Sequence, residues 1–202
     1  MQLYILRHGE TAFNRLGIIQ GGSVDTDLNE LGRSQARAFF EYYNHIHFDM
    51  VVTSDLRRTH QTVQYFIEKG ITWRQDPDIR EMNWGTHEGQ PSTPAQRAEY
   101  AACVASWQSG DYHARLDSGE SAFELGERHA RFIEWLKTRP ADRLLICSHG
   151  RAMRALVSLM KENPLSDMEG TPHANTGTYM ARLENGKFIF DMENDVRHLV
   201  DL

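Results

Sequence analysis

The order of apolar and polar residues predicts an α/β fold: a mainly parallel central sheet flanked by helices, with an antiparallel C-terminal edge. Two observations carry this. Short apolar, β-branched runs alternate with helical patterns over most of the 202 residues. The last two runs flank Glu184-Asn185-Gly186, an Asn-Gly hairpin signal that requires antiparallel pairing. Leu3 to Leu6 reads as a buried strand. A helix starts near Asp27-Leu28-Asn29-Glu30, with Asp27 or Asn29 as cap, and Ala36, Phe39, Phe40 and Tyr43 mark its apolar face. Met50 to Thr53 is a second strand. Ser54 or Asp55 caps a second helix through Leu56, Val63, Phe66 and Ile67 to a stop near Gly70. Ile71 to Trp73 is a third strand, and Pro77 to Pro94 reads mostly as loop. Helices are expected over Ala95–Trp107 and Ser121–Lys137. Leu144 to Cys147 is a buried strand running into Ser148-His149-Gly150 and a helix over Ala152–Met160. Strands at Thr178–Leu183 and Phe188–Phe190 close the chain.

Composition bounds the function. Apolar residues are 40% and charged residues 25%, which excludes a disordered chain. The net charge of -6 argues against a nucleic-acid or membrane-surface binder, which needs a basic field. Two cysteines, Cys103 and Cys147, are too few for a disulfide framework or a Cys-rich metal site. Met1-Gln2-Leu3-Tyr4-Ile5-Leu6 has no basic leader or long apolar segment, so the reading is a cytoplasmic protein with free thiols. Residues 1–202 read as one domain, in which a loop and helix segment at about 82–120 covers a pocket.

In open α/β sheets, ligands bind beyond the carboxyl ends of the strands. Three strands here end alike: in Arg7-His8-Gly9-Glu10-Thr11, in Thr53-Ser54-Asp55-Leu56-Arg57-Arg58, and in Ser148-His149-Gly150-Arg151. Arginine forks match phosphate oxygens, and histidine serves as nucleophile or proton carrier. An acidic chain that gathers these cations at one rim is building an anion site.

At these residues the chain resembles the histidine phosphatase, or phosphoglycerate mutase-like, superfamily. The blocks are Arg7-His8-Gly9-Glu10-Thr11 with Asn14, Gln20-Gly21, Leu28-Asn29-Glu30-Leu31-Gly32, Ser54-Asp55-Leu56-Arg57-Arg58-Thr59, Arg80-Glu81, Trp84-Gly85, Ser118-Gly119-Glu120-Ser121, Ser148-His149-Gly150, Asn175-Thr176, and Asn194 to Leu199. They come in the family's order over nearly the whole chain. The resemblance implies a phosphoglycerate mutase-like fold and phosphoryl transfer to histidine without metal or cofactor. In that scheme His8 is the nucleophile, and Arg7, Arg57 and His149 surround the phosphoryl oxygens. Asn14 and the backbone near Gln20 and Gly21 hold the phosphate or a neighbouring part of the substrate, and Gly150 belongs to the same binding set. Glu81 protonates the leaving oxygen and then takes a proton from water. Of the adjacent arginines the resemblance favours Arg57 as the ligand and leaves Arg58 as a solvated helix residue. Phe13 in place of Trp, Met82-Asn83 and Gln90-Pro91 depart from the family's pattern and bear on specificity.

Other histidines have plainer readings. His87, His113 and His173 match no metal-ligand spacing and are expected to be solvated or structural, and His198 anchors the tail. Cys147 belongs to the core. Trp84 and Trp107 pack or line the pocket.

A phosphomonoesterase acting on a small phosphorylated metabolite is therefore expected. The alternatives are a 2,3-bisphosphoglycerate-dependent phosphoglycerate mutase and a non-catalytic phosphate-binding regulator. The regulator is disfavoured because every charged site residue is present. The mutase is disfavoured because Gln90 to Gly119 carries only Arg97 and Arg115 as cations, beside Glu99, Asp111 and Asp117. The substrate and the oligomeric state are left open.

Overall fold

The computed structural model describes residues 1–202. Its six strands form one sheet. In chain order they are β1 (Gln2–Arg7), β2 (Met50–Thr53), β3 (Thr72–Gln75), β4 (Arg143–Ser148), β5 (Thr178–Glu184) and β6 (Lys187–Asp195). Their spatial order is β3-β2-β4-β1-β5-β6. The first four run parallel, while β5 and β6 are antiparallel. The hairpin between them turns on Asn185 and Gly186, both at positive φ (51° and 80°), as a primed two-residue turn requires.

Alternation along the strands builds two cores. Leu3 and Ile5 of β1, with Leu144 and Ile146 of β4, face α5 (Ala122–Lys137) and α6 (Gly150–Met160), meeting Phe132, Leu136, Met153 and Leu156. Tyr4, Leu6, Leu145 and Cys147 face the other way, onto α2 (Glu30–Tyr43) and α3 (Arg57–Glu68), against Phe39, Val63 and Phe66. At roughly 1.5–3 kcal/mol for each large apolar side chain fully buried, these two layers drive folding. Cys147 is fully buried, and burial pushes its thiol far up, as expected of a core residue.

Helix starts follow cap chemistry. Asn29 caps α2 by accepting from the Gly32 N–H, and Ser121 caps α5 through a reciprocal box with Glu124. The expected cap of α3 does not form. Leu56 occupies that position; of the helix-start N–H groups Ser54 Oγ accepts only that of Leu56, at 3.2 Å, Asp55 pairs with Arg80, and the Arg57 N–H that opens the helix is taken by Asp25 Oδ1 at 2.8 Å. A short helix absent from the sequence reading, α1 (Ala12–Leu16), follows β1 and is capped by a Thr11–Asn14 box.

Residues 82–120 carry α4 (Pro94–Gln108), started by a Thr93–Gln96 box. Met82, Trp84, Cys103, Trp107 and Leu116 form a third apolar cluster with Ala122 and Leu125 of α5, Ala155 of α6, and Leu165 and Met168. This packing sets α4 beside the rim where β1 and β4 end. His198 anchors the tail as expected, its Nε2 2.9 Å from Thr176 Oγ1. No helix is long and apolar enough to cross a membrane.

Candidate active site

The register of the sheet brings the two histidines together. Arg7 of β1 lies opposite Ser148 of β4, so the residues that follow, His8 and His149, leave the sheet side by side. Their ring centroids are 5.2 Å apart. Both are buried, and burial beside the Arg58 guanidinium holds both well below the usual imidazole range, so both rings are neutral.

Hydrogen bonds fix the tautomers. Nδ1 of His8 is 2.7 Å from the Gly9 carbonyl, which only accepts, so Nδ1 carries the proton. Nε2 of His8 keeps its lone pair and has no protein partner, and the ring lines a cavity of about 610 Å³. The Asn175 amide donates to the His8 carbonyl at 2.9 Å and steadies the backbone there. His149 is spent on both sides. Its Nδ1 accepts from Arg58 Nε at 3.1 Å, so its proton sits on Nε2, 2.7 Å from Ser54 Oγ. Ser54 Oγ passes the chain on to Thr59 Oγ1 at 3.1 Å.

The arginine placed in this cluster is Arg58, which corrects the expectation for Arg57. Arg58 is fully buried, with its terminal nitrogens donating to the Val24 and Gly21 carbonyls. Burial lowers its pKa to about 10. Three of its five N–H groups are used, which leaves one on each terminal nitrogen. Arg57 lies one residue earlier on α3 and points outward, paired at 3.0 Å with Asp25 and at 3.3 Å with Asp27. One helical residue is about 100° of rotation, and the buried face of α3 takes Arg58, Thr59, Thr62 and Val63.

Arg7 lines the cavity. Its Nη1 donates to the His173 carbonyl at 3.0 Å, while its buried Nε has no acceptor in the protein. Glu81 is buried at the cavity wall. Its Oε1 accepts from the Met82 and Ala152 N–H groups at 2.8 and 2.9 Å, and its Oε2 from Arg151 at 3.1 Å. Two of those donors belong to the first turn of α6, so the carboxylate serves as that helix's missing cap.

The expected binding residues divide. Asn14 and Gly150 line the cavity. A Cβ at Gly150 would stand 2.8 Å from His173 Cδ2, so any larger residue after the second histidine would push the His173 ring aside. Gln20 also lines the cavity, but its amide is committed to Thr11 and Thr26. Gly21 is not on the wall. It acts one layer back, where its carbonyl receives Arg58 and its Cα packs against Glu88 and Met82 too closely for any side chain.

Several residues in the cavity escaped the sequence reading. His173, expected to be solvated or structural, lines the cavity wall, and the Arg7 Nη1 donates to its carbonyl. His87 instead pairs with Glu99 at 3.0 Å, and His113 packs at a tilt against Phe123, ring centroids 4.5 Å apart. Among the arginines of residues 90–119, Arg97 reaches the cavity, whereas Arg115 turns out to Glu124. The missing cations come from α6. Arg151 and Arg154 line the cavity and share the carboxylate of Glu169. The signal was present as two arginines three apart on the helix that opens at the second histidine.

The buried, neutral imidazoles make stability depend on pH. For His8, His129 and His149 the folded-state pKa lies well below the unfolded value. Protons therefore bind preferentially to the unfolded chain below about pH 6.5, and stability is full above that pH and drains as pH falls through it. Each such group contributes a slope of up to about 1.4 kcal/mol per pH unit. Urea midpoints measured at pH 7, 6 and 5 should fall steadily, and a flat profile would contradict the neutral-imidazole assignment.

Comparison with known proteins agrees with this geometry. The family model described as histidine phosphatase superfamily, branch 1, matches residues 3–196. A relative from Yersinia pestis named probable phosphoglycerate mutase GpmB is 35% identical over 165 residues, covering 79% of this chain and 74% of its own. The solved mycobacterial glucosyl-3-phosphoglycerate phosphatase, complexed with VO3, is 27% identical, with a TM-score of 0.81 over 96% of this chain and 99% of that one. The α-ribazole phosphatase of Shigella flexneri has the same fold, with a TM-score of 0.85 at 24% identity over 96% of each chain.

Proposed function

Because the chain belongs to the histidine phosphatase superfamily, branch 1, we propose that it hydrolyses phosphate monoesters of small metabolites through a phosphohistidine on His8. The observation that carries this reading is His8 itself: a neutral ring with its Nδ1 proton held by Gly9 and its Nε2 without a protein partner, on a cavity that is also lined by Arg7, whose buried Nε lacks an acceptor.

In the first step Nε2 attacks phosphorus in line as the ester P–O bond breaks, and Glu81 gives a proton to the leaving oxygen. The charge on the three equatorial oxygens meets Arg7 and the two free N–H groups of Arg58, in the role that a metal ion plays elsewhere. His149 aligns Arg58, and a phosphate oxygen competes with Ser54 for its Nε2 proton. In the second step water attacks phosphorus, Glu81 takes its proton, and Nε2 recovers its lone pair as inorganic phosphate leaves. This cycle draws its positive charge from arginine, so activity should survive exhaustive chelation.

A mutase reading draws support from the 35% identical relative and from Arg151 and Arg154, the cations that the sequence reading did not count. The two are separated by measuring phosphate release and the interconversion of 2- and 3-phosphoglycerate on one preparation, with 2,3-bisphosphoglycerate supplied. Release from monoesters should dominate. Isomerisation outrunning release by tenfold or more would replace the phosphatase reading with the mutase one.

A further inference from the structure

We propose that Glu88 is a positioning residue for the phosphoryl site: its carboxylate clasps the loop that holds Arg58, and so sets the direction of that guanidinium. The inference rests on the phosphatase reading above and adds to it a residue that is not on the cavity wall.

Arg58 is not oriented by an ion pair. Its Nε is set by His149 Nδ1, and its terminal nitrogens donate to the Val24 carbonyl at 2.7 Å and the Gly21 carbonyl at 3.2 Å. A guanidinium is a rigid planar fork, so the acceptors of its bonded N–H groups decide where the free ones point. Two of those acceptors are main-chain carbonyls in residues 21–24, which belong to no helix or strand. Such a stretch keeps one shape only where other groups hold it against its conformational entropy. At its far end Asp25 ties it to α3 through the Arg57 N–H.

The tie to the rest of the site runs to residues 82–89. The Gly22 N–H donates to the Met82 carbonyl at 2.9 Å, and the Gly89 N–H to the Ile19 carbonyl at 2.9 Å. Glu88 supplies the side-chain part. Its Oε2 accepts from the Ser23 N–H at 2.9 Å and its Oε1 from the Trp84 N–H at 2.7 Å. Ser23 lies between the two residues whose carbonyls hold Arg58. A Cβ at Gly21 would collide with Glu88 Oε1, so glycine there lets the carboxylate close on the loop. Bonds to an ionised carboxylate are stronger than the neutral amide bonds on either side. The charge has a second use. Burial works against the Arg58 cation, and the carboxylates of Glu81, Asp25 and Glu88 work for it. Because Trp84 lines the cavity, one carboxylate joins the segment that covers the cavity to the loop behind Arg58.

Glu88→Gln tests this, since it keeps the shape but turns an amide NH2 toward one of the two N–H donors. Orthovanadate, which imitates five-coordinate phosphorus, reads the result without turnover. Its Kd by calorimetry should rise by about 10–100-fold, the cost of displacing an orienting group by about 1 Å. The kcat/KM for p-nitrophenyl phosphate should fall by a similar factor, mainly through kcat. Added to Arg58→Gln, the same substitution should change either quantity by less than about twofold, because effects that pass through one residue do not add. The Arg58 Nε–H proton, followed by NMR with no anion present, should exchange with solvent faster in Glu88→Gln as its bond to His149 loosens. A merely structural Glu88 would lower the fraction of folded sites and leave the vanadate Kd of the rest unchanged. That result, or a loss of about tenfold or more that persists in Arg58→Gln, would overturn the proposal. Should Arg58→Gln fail to fold, the vanadate Kd and the exchange rate of the single variant decide it. A wild type that binds vanadate and hydrolyses no ester counts against the phosphatase reading and leaves the Glu88 measurement standing.

Discussion

Replacing His8 by alanine should abolish turnover, with a loss of roughly 10⁴–10⁶-fold, the range seen when a nucleophile acting within a concerted group is removed. No neighbouring residue can take its place. His149 has both ring nitrogens bonded within the protein, and Cys147 is buried with its thiol pushed far up. The fold should survive. The imidazole makes one hydrogen bond, to the carbonyl of the next residue, and the anchoring contact from Asn175 is to the His8 backbone. Labelled ester should leave phosphate on the wild type as an acid-labile, base-stable adduct and leave none on His8→Ala. Activity above about one part in a hundred in a clean preparation would remove His8 from the role of nucleophile, against the several orders expected.

The second large effect separates two adjacent arginines. Arg58→Gln should lower kcat/KM by about 10³–10⁵-fold, the worth of an arginine on a transferring phosphoryl group. It should also destabilise the fold, since the Val24 and Gly21 carbonyls and His149 Nδ1 all lose a donor in the interior. Arg57→Gln removes only exposed contacts to Asp25 and Asp27 and should shift stability by no more than about 1 kcal/mol. Steady-state kinetics and urea unfolding on the two variants give the comparison. A greater loss of activity in Arg57→Gln would reverse the assignment.

That pair also shows where sequence reading stops. The sheet, its parallel direction and the antiparallel closing hairpin follow from alternation, apolar runs and an Asn-Gly turn, all local signals. The meeting of His8 with His149 also follows, because both end strands of one parallel sheet. The choice between Arg57 and Arg58 depends on the phase of α3. That phase is fixed by Thr59, Thr62 and Val63 packing inward, and by a Ser54 hydroxyl that takes the Leu56 N–H at the helix start while meeting His149. His173 was illegible for a different reason. It sits on a loop between α6 and β5, and only the tertiary fold brings its ring against Gly150. Counting cations along residues 90–119 missed Arg151 and Arg154 because the cavity has walls from separate parts of the chain.

The position of β1 carries a consequence for the order of assembly. Gln2 to Leu6 are bonded on one side to residues 143–147 of β4 and on the other to residues 178–182 of β5. The strand that leads into His8 is thus made before either of its neighbours, with more than a hundred residues of chain between. While a ribosome is still extending the chain, Leu3, Tyr4, Ile5 and Leu6 have no sheet to enter, and the two-histidine cluster does not exist. Long-range closures of this kind slow folding and leave apolar segments open to other chains in the interval. Competence to transfer a phosphoryl group arrives only when β4 and β5 have been made and have closed over β1.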